Sequence, residues 1–258
     1  MFSLHIRNYN IKMNILSHKT ISSFLVLAVT LGLSACAAPN TASEISDPFE
    51  AKNRAVHGFN QVVDKAVAEP LAKGYRAAVP TPARKGVKNF LRNLKTPTLL
   101  ANELLQGDIS GAGNVVTRAS VNTFIGLGGI FDVAGHEGIE YEYEDFGQTL
   151  AVWGVGHGPY LVAPFFGPGS IRDYTGLAVD SFADPLNRWM FNTGTDTLVY
   201  VRTATTFIDT RESLLDVLSD LRNNSIDYYA TLRSVYVQNR NNLITDGEAS
   251  AASLPDFD

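Results

Sequence analysis

The chain has 258 residues, with 21 Lys+Arg against 26 Asp+Glu and a single cysteine. Residues 1–35 carry Arg7, Lys12 and Lys19 and no acid, so the remainder holds 18 basic groups against 26 acidic, net −8. That balance excludes non-specific nucleic-acid binding, which needs a basic face, and electrostatic capture by anionic lipid. With no internal disulfide available, the fold rests on packing or on a membrane.

His18 and Lys19 precede an apolar run from Ile21 to Leu33, which is followed by Ser34, Ala35 and Cys36. A cationic start, an apolar stretch and small residues before a cut describe a secretory signal. The run is shorter than the roughly 20 apolar residues of a bilayer span. Residues 1–35 therefore read as a signal peptide, complete from Met13 onward. Leu33-Ser34-Ala35-Cys36 resembles a bacterial lipobox; the alternative is a plain secretory signal with an incidental cysteine. The lipobox implies cleavage before Cys36, lipid on its thiol and acylation of the new amine. Each buried acyl CH₂ contributes about 0.8 kcal/mol, and more than one chain anchors stably. Ala37 stands where aspartate would retain an enterobacterial lipoprotein, so the resemblance implies the outer membrane. Residues 36–46 are small and polar and read as a lipidated tether.

Asp47-Pro48-Phe49-Glu50 looks like a helix start, with Asp47 as cap and Pro48 in the first turn. Val56, Phe59, Val63, Val67 and Leu71 form a helical stripe, and Pro70 bends or breaks that helix. After a rigid turn at 79–82, Thr81 caps a helix from Ala83 to Leu94 with Val87, Phe90, Leu91 and Leu94 on one side and Arg84, Lys85 and Lys88 on the other. Thr96-Pro97 starts the next, which Gly107 ends as a left-handed cap. Asp108 caps a helix carrying Val115, Val116, Ala119 and Val121.

Residues 122–135 are apolar and glycine-rich without strand alternation. Gly126, Gly128 and Gly129 lack the pattern of a phosphate loop, and a hairpin of bare backbone, flexible or closely packed, is expected. Glu140 to Asp145 alternates acid and tyrosine, as a short strand or an exposed acidic loop; its spacing is not that of a helix-loop-helix calcium site, and no metal is assigned. Phe146 to Pro168 is apolar and broken by glycine and proline, either a buried loop or a lipid boundary. Ser170 caps a helix to Phe182, Asp184-Pro185 starts another with Trp189, Met190 and Phe191, and helices follow over 197–210, 213–221 and 226–240. The acidic segment 241–258 reads as a mobile tail.

These stretches together resemble the MlaA (VacJ) family of outer-membrane lipoproteins over 47–240. The match is carried by Asp47-Pro-Phe-Glu50 with Asn53-Arg54 and Phe59-Asn60, by Pro80, Pro82, Arg84, Asn89-Phe90, Asn93-Leu94 and Pro97, and by Leu105-Gln-Gly-Asp108. It continues through Asn122-Thr123, Gly126-x-Gly-Gly129, Asp132, Asp145-Phe-Gly-Gln-Thr-Leu150, Trp153-Gly-Val-Gly-x-Gly-Pro-Tyr160, Pro164 and Arg172-Asp173. Each piece is weak; their order and number make the match specific.

The resemblance implies an all-α, ring-like assembly of short amphipathic helices and Gly/Pro-rich apolar loops embedded in one membrane leaflet. Misplaced phospholipid would leave the outer leaflet through a channel in the ring and pass to a soluble periplasmic carrier, maintaining lipid asymmetry. Trimeric porins are the implied partners. A channel for amphiphiles needs polar lining, for which Asn53, Arg54, Asn60 and Asn122 are candidates, with core or capping hydrogen bonds as the alternative. Gly126, Gly128, Gly129 and Phe131 are candidates for a hairpin gate. No cofactor is implied beyond the covalent lipid at Cys36. Two rivals stand beside this reading. A lipid hydrolase needs Ser, His and Asp in reach, but no Gly-x-Ser-x-Gly elbow occurs, and His57, His136, His157, Ser120 and Ser170 have no evident partners. A passive porin-associated scaffold would also expose apolar loops.

Overall fold

A computed structural model describes residues 46–246. The signal, Cys36 and nearly all of the tether lie outside the described residues, as does the chain beyond 246. The described chain is mostly helical. In order come α1 (Glu50–Val63), a π-helical turn (Asp64–Ala68), α2 (Glu69–Ala78), α3 (Thr81–Leu94), α4 (Thr96–Gln106), α5 (Ile109–Phe124) and the single turn α6 (Val133–His136). Then follow α7 (Phe146–Val152), strands β1 (Tyr160–Ala163) and β2 (Gly167–Ser170), α8 (Ile171–Ala183), α9 (Pro185–Asn192), α10 (Asp196–Ser213), α11 (Leu215–Asn224) and α12 (Tyr228–Ile244).

Several caps fall where the residue types place them. Asp108, Asp145, Ser170 and Asp184 each accept a backbone N–H of the first turn of α5, α7, α8 and α9, satisfying donors with no intrahelical partner. Gly107 ends α4 at φ 82°, a left-handed conformation only glycine adopts without strain. Two expected caps are corrected. Asp47 does not cap α1, whose N-terminal flank is Phe49; its carboxylate instead accepts from Asn53 at 2.8 Å and pairs with Arg233 at 3.1 Å. Thr81 is the first residue of α3 rather than its cap. Nor does Pro70 break the first helix. The missing N–H falls at the second residue of α2, and the π turn just before it absorbs the change of register.

The stretch expected to be irregular, Phe146 to Pro168, contains the described residues' one antiparallel hairpin, pairing Tyr160 with Ser170 and Ala163 with Gly167. It was hidden because YLVA and GPGS carry too little alternation to announce strands. Asn53 and Asn60, seven residues apart on one face of α1, fasten it. Asn53 donates to Tyr160 O at 3.0 Å and accepts from Val162 N at 3.0 Å. Asn60 donates to Ala163 O at 2.9 Å and accepts from Phe165 N at 2.9 Å. Behind the hairpin sits the apolar core cluster, Tyr160, Val162 and Tyr229, with Val56 and Tyr236 against it.

The tail begins later than expected: α12 continues through Asn241 and Asn242 to Ile244. Its Arg240 is held bidentate by Asp145 at 2.7 Å and bonds Asp173 at 3.0 Å, so α12 closes against the starts of α7 and α8. Those two helices touch backbone to backbone, since a Cβ on Gly176 would overlap the main chain of Gly147.

Burial is inverted relative to an ordinary water-soluble domain. Among the described residues, buried polar and charged side chains outnumber buried apolar ones, and a long series of large apolar side chains is exposed. Phe124 is 84 % exposed and Phe165 68 %. Trp189 and Phe191 are exposed while Met190 between them is buried. No helix among the described residues is long and apolar enough to cross a membrane.

Candidate functional site

The inverted burial surrounds a cavity of about 600 Å³. One wall is α3 and its C-terminal flank, presenting Lys88, Arg92 and Lys95 at helical spacing. The facing wall is a polar stripe of α10: Thr206, Asp209, Thr210 and Ser213. The 141–144 segment and the end of α12 close the sides. Elsewhere around its circumference α10 exposes Leu198, Val201 and Phe207.

The cations of α3 have aromatic neighbours. The Arg92 guanidinium lies 4.4 Å from the Tyr141 ring centre and the Lys95 ammonium 3.9 Å from that of Tyr143. Among the described residues, Lys88, Arg92 and Lys95 form no ion pair within 4.0 Å. Burial pulls the Lys95 ammonium below the ordinary lysine range, against the pull of Asp145 and Asp180. Burial pushes Asp209 up, with Lys88 working the other way. Glu142 is also raised by burial. Glu144, in the segment expected as a short strand or an exposed acidic loop, lies in neither and is buried. It accepts from Gln106 at 2.6 Å and is pushed up by burial to about 8, so it is a neutral carboxyl at pH 7.

The four residues expected to line a channel are not at this cavity. Asn53 and Asn60 are spent on the β-hairpin. Arg54 pairs with Glu50 at 2.7 Å and Asp227 at 2.6 Å on an exposed flank. Asn122 is buried, donating to Asp132 at 2.9 Å and accepting from Ala134 N at 2.9 Å. Hydrogen bonding within the fold describes all but Arg54, and Asn122 also lines an adjoining space that shares Arg92, Tyr141 and Glu142 with the cavity. The residues that do line the cavity carried a weak signal, the cationic face of α3 that includes Lys88 and the TTFIDT run of α10; which side of each helix faces inward needed the tertiary packing.

The 126–131 segment is the closely packed form of the expected hairpin. Gly126 is buried against Phe131 O and Asn122, while Gly128 and Gly129 have φ 72° and 93°. Asn89 donates to Ile130 O at 3.2 Å and Asn93 to Gly128 O at 3.2 Å. Asn89 and Asn93 each follow a cavity cation, Lys88 and Arg92, on α3. Leu127 and Phe131 stay exposed. A water-sized space of about 30 Å³ lies beneath, and Arg92, Tyr141 and Glu142 line both it and the main cavity.

The side chains a hydrolase would use lie on separate errands. Ser170 caps α8, Ser120 donates to Val116 O at 2.8 Å, His57 meets Gln61 at 2.7 Å, and His157 Nδ1 meets Arg172 at 2.9 Å.

A helical fold with apolar groups outside, charged groups inside and a charge-lined cavity among them defines a class of protein that sits at a lipid boundary and handles polar or amphiphilic cargo. The particular family follows from comparison. The model of the MlaA lipoprotein family matches residues 45–243, and the chain belongs to that family. It is 37% identical over 240 residues to the intermembrane phospholipid transport system lipoprotein MlaA of Escherichia coli, covering 90% of this chain and 92% of that one. The Haemophilus influenzae protein of the same description is 33% identical, covering 92% and 96%. A solved structure that gives the structural basis for maintenance of bacterial outer membrane lipid asymmetry matches with a TM-score of 0.67 at 35% identity, covering 77% of this chain and 99% of that chain.

Proposed function

We propose that this protein removes misplaced phospholipid from the outer leaflet of the outer membrane, through the cavity between α3 and α10, and hands it to a soluble periplasmic carrier. It works without covalent chemistry, anchored by lipid at Cys36 and associated with trimeric porins. The observation that carries the reading is the inverted burial around a charged 600 Å³ cavity. Such a wall stabilises a headgroup that hydrocarbon would exclude, while acyl chains stay against apolar surface. The 126–131 segment serves as gate, because Asn89 and Asn93 tie it to the helix that carries the cavity cations.

Mass spectrometry of lipid copurifying with the acylated protein in mild detergent tests this. Intact two-chain phospholipid at defined stoichiometry, lost in Arg92→Glu, is the expected result. Lysophospholipid and free fatty acid accumulating with time would favour a hydrolase. A porin without lipid would favour a scaffold.

A further inference from the structure

The cavity is charged on both sides rather than uniformly basic, and this bears on which headgroup it accepts. On one wall Lys88, Arg92 and Lys95 form no ion pair within 4.0 Å among the described residues, although Asp209 acts on Lys88 and Arg92 from across the cavity and Asp145 and Asp180 act on Lys95. The Arg92 guanidinium lies over the Tyr141 ring at 4.4 Å, and with five N–H donors it keeps capacity to donate to an anion. On the other wall Asp209 stands among α10 hydroxyls, and Glu142 stands on the adjoining segment. Hydroxyls and carboxylates are acceptors for an ammonium. A headgroup with only negative charge would be drawn to α3 but repelled by Asp209 and Glu142. A headgroup with a phosphate and, a few bonds away, a primary ammonium satisfies both walls.

We propose that the α3–α10 cavity is a specificity site for dipolar, phosphate-plus-ammonium headgroups of the phosphatidylethanolamine type, discriminating against purely anionic phospholipid. Lys88 and Arg92 take the phosphate; Asp209 and Glu142 take the ammonium. This rests on the transport reading above and adds a preference to it.

The test incubates the full acylated protein with vesicles of equimolar phosphatidylethanolamine and phosphatidylglycerol, repurifies it in mild detergent and quantifies bound lipid. The expected ratio is about tenfold in favour of phosphatidylethanolamine, equivalent to about 1.4 kcal/mol. Glu142→Gln with Asp209→Asn should bring that ratio to about one while lipid stays bound. Glu142→Gln alone, at a position exposed overall, should lower it about threefold. Lys88→Gln with Arg92→Gln should reduce both lipids. Intact lipid bound in the equimolar ratio by the unaltered protein overturns the preference and leaves transport standing. No intact lipid of either kind overturns both.

Discussion

At the scale of single residues, this interior is held by polar groups that are costly to remove. Asn53 is buried and makes three hydrogen bonds, to Asp47, Tyr160 O and Val162 N. Asn53→Ala strands two backbone groups of β1 away from water, at about 1–3 kcal/mol each, so the thermal midpoint should fall by several degrees in mild detergent. Glu144 gives a pH-dependent counterpart. Its carboxyl is raised in the folded protein to about 8 and returns on unfolding to the ordinary carboxylate range. Between those two values the folded state binds the extra proton, so its contribution is full at low pH and is lost as pH rises through about 8. Glu144→Gln should therefore flatten the decline in melting temperature between about pH 5 and 8, as a pH series of thermal scans would record. An unchanged slope would move the effect to Glu103, which burial also raises, to about 7.

Elements in this fold are joined chiefly by charge and amide contacts across long sequence separations. Arg240 joins α12 to Asp145 and Asp173, and Arg202 joins α10 to Asp184 at 2.7 Å. Burial opposes the charge on Asp173, but Arg240, Tyr236 and Arg172 outweigh it and hold that carboxyl below the ordinary range. The 126–131 segment belongs to the same scale. Gly129→Ala puts a side chain at φ 93° and into Asn93, a cost of about 1–2 kcal/mol; protease cutting confined to this segment should increase while global unfolding changes little. Paired cysteines that lock the segment to α3 should stop lipid transfer to a carrier and leave the fold intact. Undiminished transfer in the locked form would remove the gate.

The whole molecule follows from the inversion of burial. Exposed Phe124, Phe165, Phe166, Phe182 and Trp189 form far more apolar surface than water tolerates without association. The mature chain with Cys36→Ala, exported by a plain secretory signal, should accordingly stay with membranes through a high-salt wash and require detergent for release. A salt-soluble protein would mean that the acyl anchor alone holds it. High salt is the informative condition because residues 36–258, of net charge −8, have no long-range attraction to anionic lipid for salt to screen.

Much was legible from residues alone, for a local reason. Helix starts and stops are decided within a turn or two, so Gly107 as a left-handed cap and Asp108, Ser170 and Asp184 at helix starts could be read in order. The absence of a described spanning helix and the mixture of apolar and charged helix faces were also visible in composition and spacing. What needed the tertiary structure were partners remote in the chain. Asp47 looked like a cap until Asn53 and Arg233 were brought to it, and Asn53 and Asn60 stood open between channel lining and core hydrogen bonding until the hairpin at 160–170 gave them partners. Glu144 looked solvated until Gln106 and burial enclosed it. The cavity itself is the clearest case. Lys88 on α3 and Asp209 on α10 lie more than a hundred residues apart; α3 read singly is an amphipathic surface helix, and α10 shows no clear apolar face at all. Periodicity tells which residues share a face; only packing tells whether that face looks at water, at lipid or at a cavity.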